Sequence, residues 1–268
     1  MKLKYYITGN ASHLVEEFYN ISYSEKIVPL KSIIIPMGFS SLAFPYSSNQ
    51  YFYQNKKRRD FKKLTLVGQF YKSYEMCIDS PGFCCGISFK PTTLYKLINL
   101  DISQFTNNYV DFYSVKPILS KKLEGLFIKY KNNSEQLFKE LANFLNLLPL
   151  TENKDTIIID GVIEEIHKKE GLLSVLEIME TVPFCQKTLE TQFKKMVGLT
   201  PGKYIRLRRF LSLMKKYEKE QINLKDLIYM YNYYDESHFS KDFKLFTNKI
   251  FKKYFKKDYL IVKEALKK

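Results

Sequence analysis

Tryptophan is absent, histidine occurs three times and cysteine four times in 268 residues. These scarcities exclude much chemistry. Cys77, Cys84, Cys85 and Cys185 contain no CxxC pair, and His13, His167 and His238 do not complete a four-ligand zinc set. Free thiols in a reducing cytoplasm are expected, with no metal and no other cofactor. The sequence has no Ser/His/Asp or Cys/His arrangement, paired carboxylates or phosphate-binding glycine loop, so no catalytic residue and no enzyme is expected. No run approaches the roughly 18 consecutive apolar residues of a spanning helix. The start, MKLKYYITGN, also lacks an apolar signal core, which points to a cytoplasmic chain without a membrane partner.

What the sequence has in excess is positive charge, 43 Lys and Arg against 28 Asp and Glu, a net of +15. It is unevenly spread. Residues 1–150 carry 19 basic and 11 acidic side chains, residues 151–184 carry 3 and 8, and residues 185–268 carry 21 and 9. A polyanion such as DNA would therefore meet the last third. The apolar run LANFLNLLPL gives way to the polar TENKD at the same place, which divides the chain into 1–150, a linker at 151–159, a helical domain at 160–258 and a basic tail at 259–268.

In the helical domain, Ile158, Val162, Ile163 and Ile166 fall at helical spacing and Gly171 is placed to stop that helix. A second helix through Leu173, Leu176 and Met179 ends at the Val182–Pro183–Phe184 break. Thr188, Leu189, Phe193 and Met196 then form the stripe of a third, closed by Gly198. Two short helices across a tight break are the helix-turn-helix pattern. Thr200 and Pro201 open a long basic helix. A second unit follows, and Leu189 and Phe193 recur 50 residues later as Phe239 and Phe243, an internal duplication.

TLETQFKKMVGLTPGKYIRLRRF and NLKDLIYMYNYYDESHFSKDFKLF resemble the two helix-turn-helix motifs of the AraC/XylS transcriptional regulators. The resemblance covers residues 160–257 and implies a seven-helix module whose two recognition helices enter adjacent major-groove segments. Met179 and Ile228 stand where the family usually has Ala, Asn232 replaces a frequent Gly, Thr191 a basic residue, and Asn248–Phe251 the late Gly-x-Ser-Pro. The expected base-contact residues are Gln186, Lys187, Glu190, Thr191 and Lys194 in the first unit, and Glu236, Ser237, Ser240, Lys241 and Lys244 in the second. Lys203, Arg206, Arg208, Arg209, Lys252 and Lys253 are the expected phosphate contacts. Ser237 could cap its helix, and His238 could pack or cap.

The first 150 residues read as an α+β domain. Ser12 is placed to cap a helix through Leu14, Val15 and Phe18. Strands are expected at 31–36, 41–44, 64–69, 74–78 and 85–89, and helices after Pro91, at 119–130 and at 135–148. The basic run KKRRDFKK at 56–63 reads as a solvated hairpin loop, with contact to an acidic effector or phosphate as the alternative, and Cys84 and Cys85 as buried packing residues, with redox sensing or metal binding as the alternative. IIIPMGFSSLAF, LTLVGQF and CGISFKPTTLYKLINLDISQFTNNYVDF resemble, in order, an uncharacterised sensor-like domain of bacterial regulators. The expectation is a sequence-specific transcription factor, gated by a small-molecule effector or a partner, with RNA polymerase as a further partner and a homodimer as one form. The alternatives are a DNA-alkylation repair sensor with a metal-bound cysteine and a non-specific architectural DNA-binding protein.

Overall fold

A computed structural model describes residues 1–46, 50–54, 57–220, 222–250 and Leu266. The N-terminal part holds ten strands: β1 (Lys2–Tyr6), β2 (Val15–Tyr23), β3 (Leu30–Ile34), β4 (Ser41–Pro45), β5 (Gln50–Gln54), β6 (Lys57–Phe61), β7 (Thr65–Val67), β8 (Tyr74–Ile78), β9 (Gly82–Phe89) and β10 (Tyr109–Asp111). They form a six-stranded sheet in the order β1-β2-β9-β4-β7-β10 and a four-stranded sheet in the order β3-β8-β5-β6. Tyr23, Ala43, Met76, Ile78 and Cys84 fill the space between the two sheets. The opposite face of the larger sheet packs on the helices α1 (Thr93–Ile98), α2 (Phe112–Val115), α3 (Pro117–Lys129) and α4 (Ser134–Asn146). Because strand side chains alternate, the neighbours Cys84 and Cys85 of β9 enter these two different cores. Both are free thiols, and burial pushes Cys85 up to about 11.

Three local expectations need correction. Ser12 caps no long helix, because Val15 begins strand β2. Within KKRRDFKK, Lys57–Phe61 is a strand at the edge of the smaller sheet and not a loop, and charged side chains there discourage further strand pairing. Helix α5 (Lys154–Lys168) starts inside the stretch read as a linker, fixed by the reciprocal bonds of the Asn153–Thr156 capping box.

The helical domain continues with α6 (Val175–Met179), α7 (Gln186–Val197), α8 (Pro201–Glu220), α9 (Leu224–Met230) and α10 (Glu236–Thr247). Each turn has its expected chemistry. Gly171 and Gly198 take φ of +78° and +91°, and Asn232 takes the left-handed conformation at +54°. The end of the expected domain, residues 251–258, lies outside the described residues.

The two parts share one buried cluster, which runs from Phe18, Phe89 and Ile102 to Phe193, Tyr204 and Phe210. Polar contacts reinforce it. Thr106 Oγ1 donates to Gly198 O at 2.6 Å, and Lys96 Nζ reaches Asp160 Oδ2 at 2.6 Å. The Tyr71 ring meets Phe246 of α10 edge-on at 5.3 Å.

Candidate nucleic-acid interface

Helix α7 buries Leu189, Phe193 and Met196, which leaves Gln186, Lys187, Thr191 and Lys194 exposed and Glu190 half-exposed. Gln186 Nε2 donates to Glu190 Oε1 at 2.9 Å, and the Thr191 hydroxyl donates to the Lys187 carbonyl at 2.8 Å. Helix α10 repeats the arrangement: Phe239, Phe243 and Phe246 are buried, while Glu236, Ser237, Ser240, Lys241 and Lys244 are exposed. Its cap is Asp235, whose Oδ1 accepts from the His238 amide at 2.6 Å. Ser237 is therefore left on the open face, and His238 turns its ring edge-on to Tyr233 at 5.2 Å.

The ten expected base-contact positions form five pairs, each separated by 50 residues. Both sets lie on the side of their helix away from the apolar stripe. The long helix α8 touches both units: its Tyr204 ring lies 5.5 Å from Phe193 of α7, and its Phe210 ring 4.8 Å from Phe246 and 6.0 Å from Phe243 of α10.

The basic residues of α8 divide into different environments. Lys203 is exposed, with its Nζ 5.5 Å from the Tyr71 ring centroid. Arg206 instead forms an ion pair with Asp242 of α10, its Nε 2.6 Å from Oδ1. Arg209 lies 3.9 Å from the same carboxylate and 4.5 Å over the Tyr233 ring. Asp242 is fully buried and also accepts the Tyr233 hydroxyl at 3.0 Å. Arg206 and Arg209 thus join α8 to α10, because a buried carboxylate needs a compensating charge. Arg208 points the other way and lines a cavity against the N-terminal part. Lys252 and Lys253 lie outside the described residues.

Sequence reasoning missed Asp242, although its spacing carried a signal: it sits three residues after Phe239 and four before Phe246, on the apolar stripe. It also missed Tyr234, 87% exposed in the turn before α10, and the His167–Tyr204 pair, bonded at 2.8 Å between α5 and α8. Burial, with Arg208, Lys90 and Lys215 nearby, holds His167 down at about 4.

Residues 182–257 match a family model described as a helix-turn-helix domain. The C-terminal part is an AraC-type helix-turn-helix module. A chain carrying this AraC-type module is a DNA-binding transcriptional regulator. Residues 10–111 match a domain of unknown function. Among curated proteins none matches the chain significantly. Similar solved structures include an apo variant of ToxT from Vibrio cholerae, 10% identical, covering 88% of this chain and 96% of that one with a TM-score of 0.47. Wild-type ToxT from Vibrio cholerae bound to unsaturated fatty acid is 12% identical, covering 87% of this chain and 91% of that one with a TM-score of 0.43. The AraC-like transcriptional activator CuxR is 12% identical, covering 78% of this chain and 79% of that one with a TM-score of 0.29. Among the described residues no helix is long and apolar enough to cross a membrane.

Proposed function

We propose that the AraC-type module reads a specific operator by laying α7 and α10 into adjacent major-groove segments. The observation carrying this reading is the matched exposure of positions 186, 187, 190, 191 and 194 with 236, 237, 240, 241 and 244, on two helices that bury their other faces. Gln and Glu suit adenine and cytosine edges, and Lys suits guanine or a phosphate. Lys203 is the phosphate contact on α8 that its exposure favours, whereas Arg206 and Arg209 act through Asp242. In this reading residues 1–150 are the regulatory domain, and an effector bound there alters how the helices are held.

The test is operator selection from random DNA, followed by footprinting of variants. Lys187→Ala and Lys241→Ala should each weaken the selected site by about 1–3 kcal/mol and relax preference at a few base pairs. Lys203→Ala should weaken all sequences alike and lower the salt slope by about one. Equal affinity of the wild type for selected and random DNA would refute specific reading.

A further inference from the structure

The connection from β7 to β8, residues 68–73, crosses from the larger sheet to the smaller one and touches the ends of both reading helices on the way. Gln69 is buried against the turn that closes α7: a Cβ built on Gly198 would lie 3.2 Å from the Gln69 Cβ and 3.0 Å from Thr106 Oγ1. Tyr71, two residues on, meets the second unit. Its ring stands edge-on to Phe246 near the end of α10, and its hydroxyl lies beside the Arg206 guanidinium that holds Asp242. The connection is itself pinned. The Asn107 amide donates to the Gln69 carbonyl at 3.1 Å, Asn107 Oδ1 accepts the Tyr71 amide at 2.7 Å, and the Gly68 amide donates to the Asn108 carbonyl at 3.0 Å. Thr106, next to Asn107, donates to the Gly198 carbonyl at 2.6 Å.

Because Gln69 and Tyr71 are two residues apart, their Cα atoms are separated by at most about 7 Å. A span that short cannot follow the two helix ends if they move apart. Helix α8 also joins the units, through Tyr204 to α7 and through Phe210 and Arg206 to α10. Successive base pairs of DNA lie about 3.4 Å further along the axis and about 34° further round it, so the separation of two reading helices selects the separation of the segments they read. We propose that Gln69 and Tyr71 are positioning residues that fix α10 relative to α7, and so set how many base pairs lie between the two read segments. The specificity they add is for spacing and not for base identity, since both side chains touch the ends of the helices and not their exposed faces. This deepens the operator reading above and rests on it.

The test is binding of the full chain to the operator selected from random DNA, and to versions with one base pair inserted or removed between the two footprinted segments. The wild type should lose affinity by about ten-fold or more at either altered spacing, the cost of at least one base pair no longer read. Tyr71→Ala should bind the selected spacing more weakly and shrink that penalty to about three-fold, half of it on the free-energy scale. Tyr71→Phe, which keeps the ring on Phe246, should retain most of the penalty. Thr106→Val removes the bond to Gly198 at the α7 end and should shrink the penalty independently, and it decides the matter if Tyr71→Ala does not fold. A structural role alone would weaken every spacing by the same factor, so an undiminished penalty in Tyr71→Ala and Thr106→Val would overturn the proposal. A wild type that binds its selected site specifically yet tolerates the extra base pair would overturn it too, and would leave the operator reading standing. A wild type that binds selected and random DNA alike would refute that reading and the proposal with it.

Discussion

Asp242 is the residue on which most interactions in the reading unit converge. Two arginines and a tyrosine hydroxyl meet its buried carboxylate, so removing one partner leaves charge uncompensated in a poorly solvated place. Asp242→Ala leaves Tyr233 and two part-exposed guanidinium groups without their acceptor and should lower unfolding free energy by about 1–3 kcal/mol, read from urea midpoints. Arg206→Ala should lower it too, whereas an arginine that only touched phosphate would leave it unchanged. His167 gives a second residue-scale expectation. Its folded-state value near 4 lies below the ordinary 6.5, so the unfolded chain takes up the proton first. Its contribution is complete above about pH 6.5 and is lost as pH falls towards 4. His167→Gln should flatten stability over that window, and an unchanged slope would assign the loss to other groups.

At the scale of elements, glycine and asparagine turns were legible and β2 was not. Gly171 takes positive φ, and a Cβ there would lie 2.4 Å from the Arg209 amide nitrogen. Gly171→Ala should therefore destabilise the chain more than the roughly 1 kcal/mol usual for a point substitution, measurable as a lower melting temperature. Strand β2 was misread for a specific reason. A register shift between Val15 and Glu17 interrupts its pairing with β9, so Val15 and Phe18, three residues apart, are both buried in one cluster. That spacing imitates a helix stripe. The basic run at 56–63 misled differently, since edge strands and loops are both charged. The exposed faces of α7 and α10 were readable because an amphipathic helix shows its orientation in its periodicity.

For the whole molecule, the buried cluster continuous from the strands to α8 makes the division of labour less physical than the sequence suggests. Urea unfolding followed by tyrosine fluorescence and by helical circular dichroism should give coincident transitions, and two separated midpoints would show independently stable halves. Sequence by itself determined the module: hydrophobic period, turn residues and charge are local properties, and the duplication at 50 residues repeats them. Tertiary structure decided which cations are free. Lys203, Arg206, Arg208 and Arg209 share one helix and one charge. Yet Lys203 stays in solvent, Arg206 and Arg209 meet a carboxylate 33 or more residues away, and Arg208 faces the other domain. Charge is written in the sequence, but its counter-charge and solvation depend on what packs against it, and that is set only when distant elements meet.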